Sequence, residues 1–109
     1  MDNISENIRT QMRKGLLEYC ILRILSSEEA YASSIIEALK EAKMIVVEGT
    51  LYPLLIRLKN QQLLSYRWEE STQGPPRKYY IITDKGLEQL AEMDAAWSEL
   101  VESINHLKK

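Results

Sequence analysis

Glu48–Leu64, EGTLYPLLIRLKNQQLL, is the stretch whose reading decides the fold. Leu51, Leu54, Leu55 and Leu58 recur three and four apart, which marks one apolar face of a helix. Tyr52, Arg57, Lys59 and Asn60 fall mostly on the other side. A helix with a buried leucine face and an outer face of Tyr, Arg, Lys and amide groups suits an element that lies against a polyanion. Proline has no N–H to donate, so Pro53 is expected within the first turn or so, which predicts a helix start near Gly49. Val47 is the expected cap position and carries no side-chain acceptor.

Working upstream, Met44-Ile45-Val46-Val47 is too short for an independent strand and reads as a tight, partly buried connector with room for one short edge strand. Before it, Tyr31, Ile35, Ile36 and Leu39 define a helix from about Ala30 to Ala42. Ser27 or a neighbour is the expected cap, with Glu28 and Glu29 at the positive end of the dipole. Leu16–Leu25 (LLEYCILRIL) is interrupted only by Glu18 and Arg23, so it is the expected core helix, with Cys20 as a buried structural thiol. Gly15 predicts a break or a close contact. Ile4, Ile8 and Met12 recur every four residues and predict a further, partner-packed or frayed helix.

Downstream, the period changes. Leu64, Tyr66 and Trp68 alternate with Ser65, Arg67 and Glu69, which predicts a strand with one buried face. Ser71–Pro76 (STQGPP) reads as a six-residue tip. Arg77–Thr83 (RKYYIIT) is the return strand of a hairpin, with Arg77-Lys78 at its base. Thr83-Asp84 then caps a helix running to about Leu107. In that helix Leu90, Met93, Trp97, Leu100, Ile104 and Leu107 form an a/d seam, widened by Leu87 and Val101. A helix of roughly 24 residues is about 36 Å long, more than so small a body covers. Its far half calls for a second copy of the chain.

The order is mainly α with one β-hairpin: a winged helix-turn-helix with a long C-terminal dimerisation helix. Residues 1–83 form the winged unit, and 84–109 the dimerisation helix packed on the same single domain. The chain has 109 residues, a size suited to one domain. Its net charge of −2 conceals an asymmetry. Leu51–Lys85 carries six basic and three acidic residues, whereas Glu88–Asn105 carries five acids and no base. The middle, not the total, sets the local field.

Other classes are disfavoured. One cysteine and one histidine, Cys20 and His106, leave no metal cluster and no intramolecular disulfide. Four scattered glycines make no phosphate loop, and Ser33-Ser34 is no nucleophile elbow. No enzyme and no cofactor are expected. No apolar run approaches the roughly 20 residues of a membrane span. Met1–Thr10 is polar, so no leader is expected and the location reads as cytoplasmic.

Met12–Leu25 (MRKGLLEYCILRIL), Glu48–Leu64, Gly74–Thr83 (GPPRKYYIIT) and the Trp97-bearing acidic helix together resemble the PadR family of bacterial transcription regulators, in its short subfamily. The resemblance covers nearly the whole chain. It departs from the family pattern at Ala32, where glycine is common, and at Val47, where a Ser or Asn cap is common. It implies a homodimer that places the Glu48–Leu64 helix in the major groove of operator DNA and the hairpin against the backbone or minor groove. Carried onto this sequence, Thr50, Tyr52, Arg57 and Lys59 are the helix contacts, and Pro76, Arg77 and Lys78 the wing contacts. Arg57 and Lys59 would meet either phosphates or a guanine edge. Met93, Trp97, Leu100 and Ile104 fall at the dimer interface. There Trp97 either lines a flat pocket for a small aromatic or lipophilic effector or serves as a plain anchor. The implied role is a ligand-responsive repressor of a nearby transporter or detoxification gene. The alternative is a winged-helix protein-interaction module without specific DNA binding.

Overall fold

A computed structural model describes residues 2–71 and 73–109, with the side chains of 2–5 left out, so the expected role of Ile4 lies outside the described residues. The elements are α1 (Asp2–Lys14), α2 (Leu17–Ser27), α3 (Ala32–Glu41), α4 (Glu48–Asn60), β1 (Leu64–Ser71), β2 (Gly74–Ile82) and α5 (Asp84–Leu107). Helix α2 lies at the centre, packed on α3, β2 and α5, and α4 packs on α3 and β1. Ile21, Leu22, Ile35, Leu39, Leu51, Leu55, Leu58 and Leu64 are the largest fully buried side chains. The four-residue spacing of Ile21–Leu25, Ile35–Leu39 and Leu51–Leu55 is the physical reason that three helices converge on one core.

Gly15 marks a break: a Cβ there would meet nothing within 4 Å, so no close contact requires the glycine. Ile8 and Met12 on α1 are exposed. Cys20 is half-buried rather than fully buried, and desolvation alone raises its thiol pKa.

Several sequence expectations are corrected. Ser27 does not cap α3; it is the last residue of α2, and α3 starts at Ala32 behind Tyr31 without a side-chain cap. The intervening Ala30 is instead drawn into the sheet. Its N–H donates to the Tyr80 carbonyl (3.1 Å) and its carbonyl accepts from the Tyr80 N–H (2.8 Å). The edge pairing considered for Met44–Val47 therefore falls on Ala30, and Met44–Val47 is coil with Met44 and Val46 half-buried. Ala32 is buried at the start of α3, so the departure from glycine is accommodated there. Pro53 is the sixth residue of α4 rather than part of its first turn, because Glu48 and Gly49 already precede it in the helix. Val47 caps α4 with no side-chain bond, as expected.

Helices α3 and α4 end alike. The Met44 N–H donates to the Leu39 carbonyl (2.8 Å), and Leu63 N–H to Leu58 (3.0 Å). The residues between, Lys43 (φ 64°) and Gln62 (φ 65°), adopt the left-handed conformation that glycine usually supplies. The second of these turns the chain directly into β1.

The hairpin tip is shorter than expected, since the strands extend to Ser71 and Gly74. Register runs Leu64↔Ile82, Tyr66↔Tyr80, Trp68↔Lys78 and Glu69↔Arg77, then slips to Ser71↔Gly74. Two steps on β1 thus face three on β2. Pro75 and Pro76 sit in that irregularity, one of the few places in a strand where a residue lacking N–H is tolerated. Arg77-Lys78 follow directly on it, well up the wing. The apolar face of β1 is buried only at its root: Leu64 is 2 % exposed and Trp68 60 %.

Candidate nucleic-acid interface

With Leu51, Leu55 and Leu58 turned inward, the helical repeat directs Tyr52, Ile56 and Lys59 outward beside the wing. Between α4, the start of α3 and the hairpin lies a concave cleft of about 370 Å³, lined by Tyr31, Ser33, Tyr52, Ile56, Trp68, Pro76, Arg77, Lys78 and others. Thus Tyr52, Pro76, Arg77 and Lys78 are brought to one surface. Lys59 joins them along the flank of the helix, at a smaller depression shared with Ile56, Tyr66 and Lys78.

Thr50 and Arg57 fall on the other flank of α4, about 160° and 140° from Tyr52 at 100° per residue. Thr50 is exposed in the first turn of the helix. Arg57 Nε lies 3.4 Å from Glu18 Oε2 on α2. That oxygen is buried without a hydrogen-bond partner, so the Arg57 charge is its compensation.

The cations of the wing are held by rings. Lys78 Nζ sits 4.5 Å from the Tyr66 ring centroid and 5.5 Å from that of Trp68, while Lys59 Nζ approaches Tyr66 to 5.6 Å. The Arg77 guanidinium lies 4.0 Å over Tyr31 and donates to Ser33 Oγ at 2.9 Å. Tyr31 in turn meets Tyr79 edge-on at 4.8 Å. These contacts leave positive charge in place: among the described residues no carboxylate is paired with Lys59, Arg77 or Lys78. Arg67, on the face of the hairpin with Arg77, differs. It binds Glu69 (2.8 Å) and Glu29 (3.3 Å), and its hydrogen bond to Glu69 is the main cause of its raised pKa. Glu29, expected at the start of α3, is thus spent on the wing. Tyr80 is buried, and desolvation raises its phenol pKa, so it packs rather than projects.

The second group expected from sequence lies on α5. A cavity of about 160 Å³ opens between the α1–α2 junction and α5, lined by Gly15, Leu16, Tyr19, Met93, Ala96, Trp97 and Leu100. Met93, Trp97 and Leu100 therefore meet at one place, and Ile104 lies a turn farther along. The seam is covered at its start and bare at its end, from Leu90 at 4 % exposure to Leu107 at 79 %. Tyr19 Oη donates to Asp94 Oδ1 at 2.5 Å, and Arg23 lies 3.4 Å from the same carboxylate, which ties α5 to α2.

Sequence reading misses Tyr31, Ser33, Ile56 and Trp68 in the cleft and Tyr19 beside Trp97. Periodicity places Tyr31 and Trp68 on core faces. The Arg77–Ser33 contact spans 44 residues of chain and the Tyr19–Asp94 contact 75, which local pattern does not encode.

The fold and this surface define a winged helix-turn-helix protein of the DNA-reading class. Residues 21–92 match the model of the transcriptional regulator PadR-like family, and the chain belongs to that family, whose members are transcriptional regulators and not enzymes. It is similar to a PadR-like transcription factor from Bacteroides fragilis, at 65 % identity, with 93 % of this chain and 98 % of that one covered and a TM-score of 0.79. A PadR-like transcriptional regulator from Bacillus cereus is 44 % identical, with coverage of 91 % and 97 % and a TM-score of 0.79. A PadR family regulator from Eggerthella lenta is 35 % identical, with coverage of 99 % and 91 % and a TM-score of 0.85. PadR-like regulators bind DNA, and DNA-binding transcription regulation is the function of this family. Among the described residues no helix is long and apolar enough to cross a membrane.

Proposed function

We propose that this chain is a homodimeric repressor that binds operator DNA in the cytoplasm and releases it when a small aromatic or lipophilic effector binds. Its targets on this reading are a nearby transporter or detoxification gene. Residues 1–83 read DNA, and 84–109 pair the two copies. The observation that carries the proposal is that, among the described residues, none of Lys59, Arg77 and Lys78 is in an ion pair, Arg77 and Lys78 lining the cleft and Lys59 the depression beside it, while the acids Glu29 and Glu69 of the same region are paired with Arg67. Tyr52 and Pro76 supply neutral contacts beside them. Thr50 extends the surface at the start of α4. Arg57, whose Nε faces Glu18 while its side chain stays 64 % exposed, reaches DNA from the other flank of α4. The bare seam of Trp97, Leu100 and Ile104 supports the dimer, and the cavity under Trp97 and Met93 supports the effector.

The test is a fluorescence-anisotropy titration of the chain against duplex DNA from upstream of its own gene, repeated over a salt series. Binding is expected to weaken steeply with salt as counterions return to the phosphates. Arg77→Ala should reduce the slope of log K against log salt by about 1. Absence of binding at low salt would overturn the reading in favour of a protein-interaction module.

A further inference from the structure

We propose that Trp68 is a direct DNA contact: its indole packs on the deoxyribose surface of the strand that the wing lies against. This rests on the DNA-reading role above and adds to it a residue that carries no charge. Trp68 is 60 % exposed, on the same strand face as Leu64, which is buried. An indole left in water at mid-strand forgoes burial that the fold gives to its neighbour, so its exposure calls for a partner outside the chain. The partner's chemistry follows from what surrounds it. Trp68 pairs across the hairpin with Lys78, whose ammonium lies over its ring. It lines the same cleft as Tyr52, Pro76 and Arg77. Of the two acids that follow it in β1, Glu69 is held by Arg67, and Glu70 is exposed toward the distal end of the strand. A ligand entering here must meet one cation, Lys78, beside a flat apolar ring, with a second cation, Arg77, one residue along β2 on the other face of the hairpin. The sugar–phosphate backbone of duplex DNA has that alternation, with anionic oxygens for Lys78 and Arg77 and the C–H surface of the sugar for the indole.

The ring contacts also position it. Tyr66 meets Trp68 nearly edge-on at 6.1 Å and takes Lys78 and Lys59 near its own ring. Wing and α4 therefore share one cation–aromatic cluster. The ring arrives at the backbone together with the two ammonium groups.

The chain has two tryptophans, Trp68 and Trp97, so the Trp68 signal is the difference in emission between the unaltered chain and Trp68→Phe. Adding upstream duplex to the unaltered chain should quench and shift that signal in step with anisotropy, and added salt should reverse both. Trp68→Ala should weaken binding roughly tenfold, the value of covering about half of the exposed part of an indole, without changing the salt slope. Lys78→Ala should instead lower the slope by about 1. Trp68→Phe should recover part of the loss, and circular dichroism should match the unaltered chain for each variant. Binding without any change in Trp68 emission, or Trp68→Ala binding as tightly as the unaltered chain, would overturn the assignment and leave DNA reading intact. Failure of the unaltered chain to bind would overturn both.

Discussion

Replacing Gly86 by alanine should destabilise the protein even though the position is helical. Gly86 is the third residue of α5, and alanine there would gain about 1 kcal/mol of helix propensity. An added Cβ, however, would overlap the Leu63 carbonyl oxygen and stand 2.7 Å from Ile82 Cγ1. The Ile82 side chain can turn aside, but the carbonyl cannot. Leu63 donates its N–H to Leu58 (3.0 Å) and its oxygen accepts from the Thr83 N–H (3.1 Å), so both sides of the residue are pinned. Moving α5 instead would break the Thr83 Oγ1 cap on the Gly86 N–H (2.9 Å). Overpacking of this kind costs typically about 1–3 kcal/mol and here belongs at the upper end, because the obstacle is backbone; the net loss should be about 2 kcal/mol. Urea unfolding followed by circular dichroism at fixed protein concentration measures it. Gly49→Ala is the control, since its Cβ would meet nothing within 4 Å and it should gain about 0.5–1 kcal/mol. A Gly86→Ala chain as stable as the unaltered one would refute the reasoning.

Lys43→Gly should stabilise by up to about 1 kcal/mol, because the left-handed conformation of Lys43 is costly for a residue with a Cβ; the midpoint in urea should rise. Tyr19→Phe should cost about 1 kcal/mol or less near neutral pH, the hydrogen bond to Asp94 being part-exposed. That bond, with desolvation second, raises the Tyr19 pKa above its ordinary 10.0. The stabilisation is therefore complete below pH 10.0 and lost as pH rises through the folded-state value. The stability gap between the unaltered chain and the Tyr19→Phe variant should close in strongly alkaline urea titrations, and a gap that widens there would contradict the sign. Ile104→Glu, on the bare part of the seam, should weaken self-association by about 100-fold or more, roughly 2.7 kcal/mol. Sedimentation velocity at micromolar concentration should then show single chains, and an unchanged dimer would remove Ile104 from the interface.

Much of this fold was legible in the order of residues, because its signals are local. The leucines of α4, the alternation of β1, the cap at Thr83 and the seam of α5 each report on a few neighbours along the chain. So do the charged pair Arg77-Lys78 and the exposed Tyr52. What stayed hidden involves partners far apart in sequence. Ala30 reads as a helix residue until Tyr80 offers it a strand edge. Lys43 and Gln62 do not look like helix-stop residues, because the hydrogen bonds of Met44 and Leu63 impose their conformation.

By itself, then, the stretch Glu48–Leu64 determined that an amphipathic helix with a polar outer face would stand at the centre of the chain, since helical spacing needs no partner to be read. It did not determine which polar residues share a surface. Thr50, Tyr52, Arg57 and Lys59 look alike along the chain. Only the packing of α4 against its neighbours sends Arg57 toward Glu18 and leaves Tyr52 and Lys59 beside Arg77, Lys78 and Trp68. The physical reason is that a helix presents every azimuth equally, and neighbouring elements decide which of them faces open solvent.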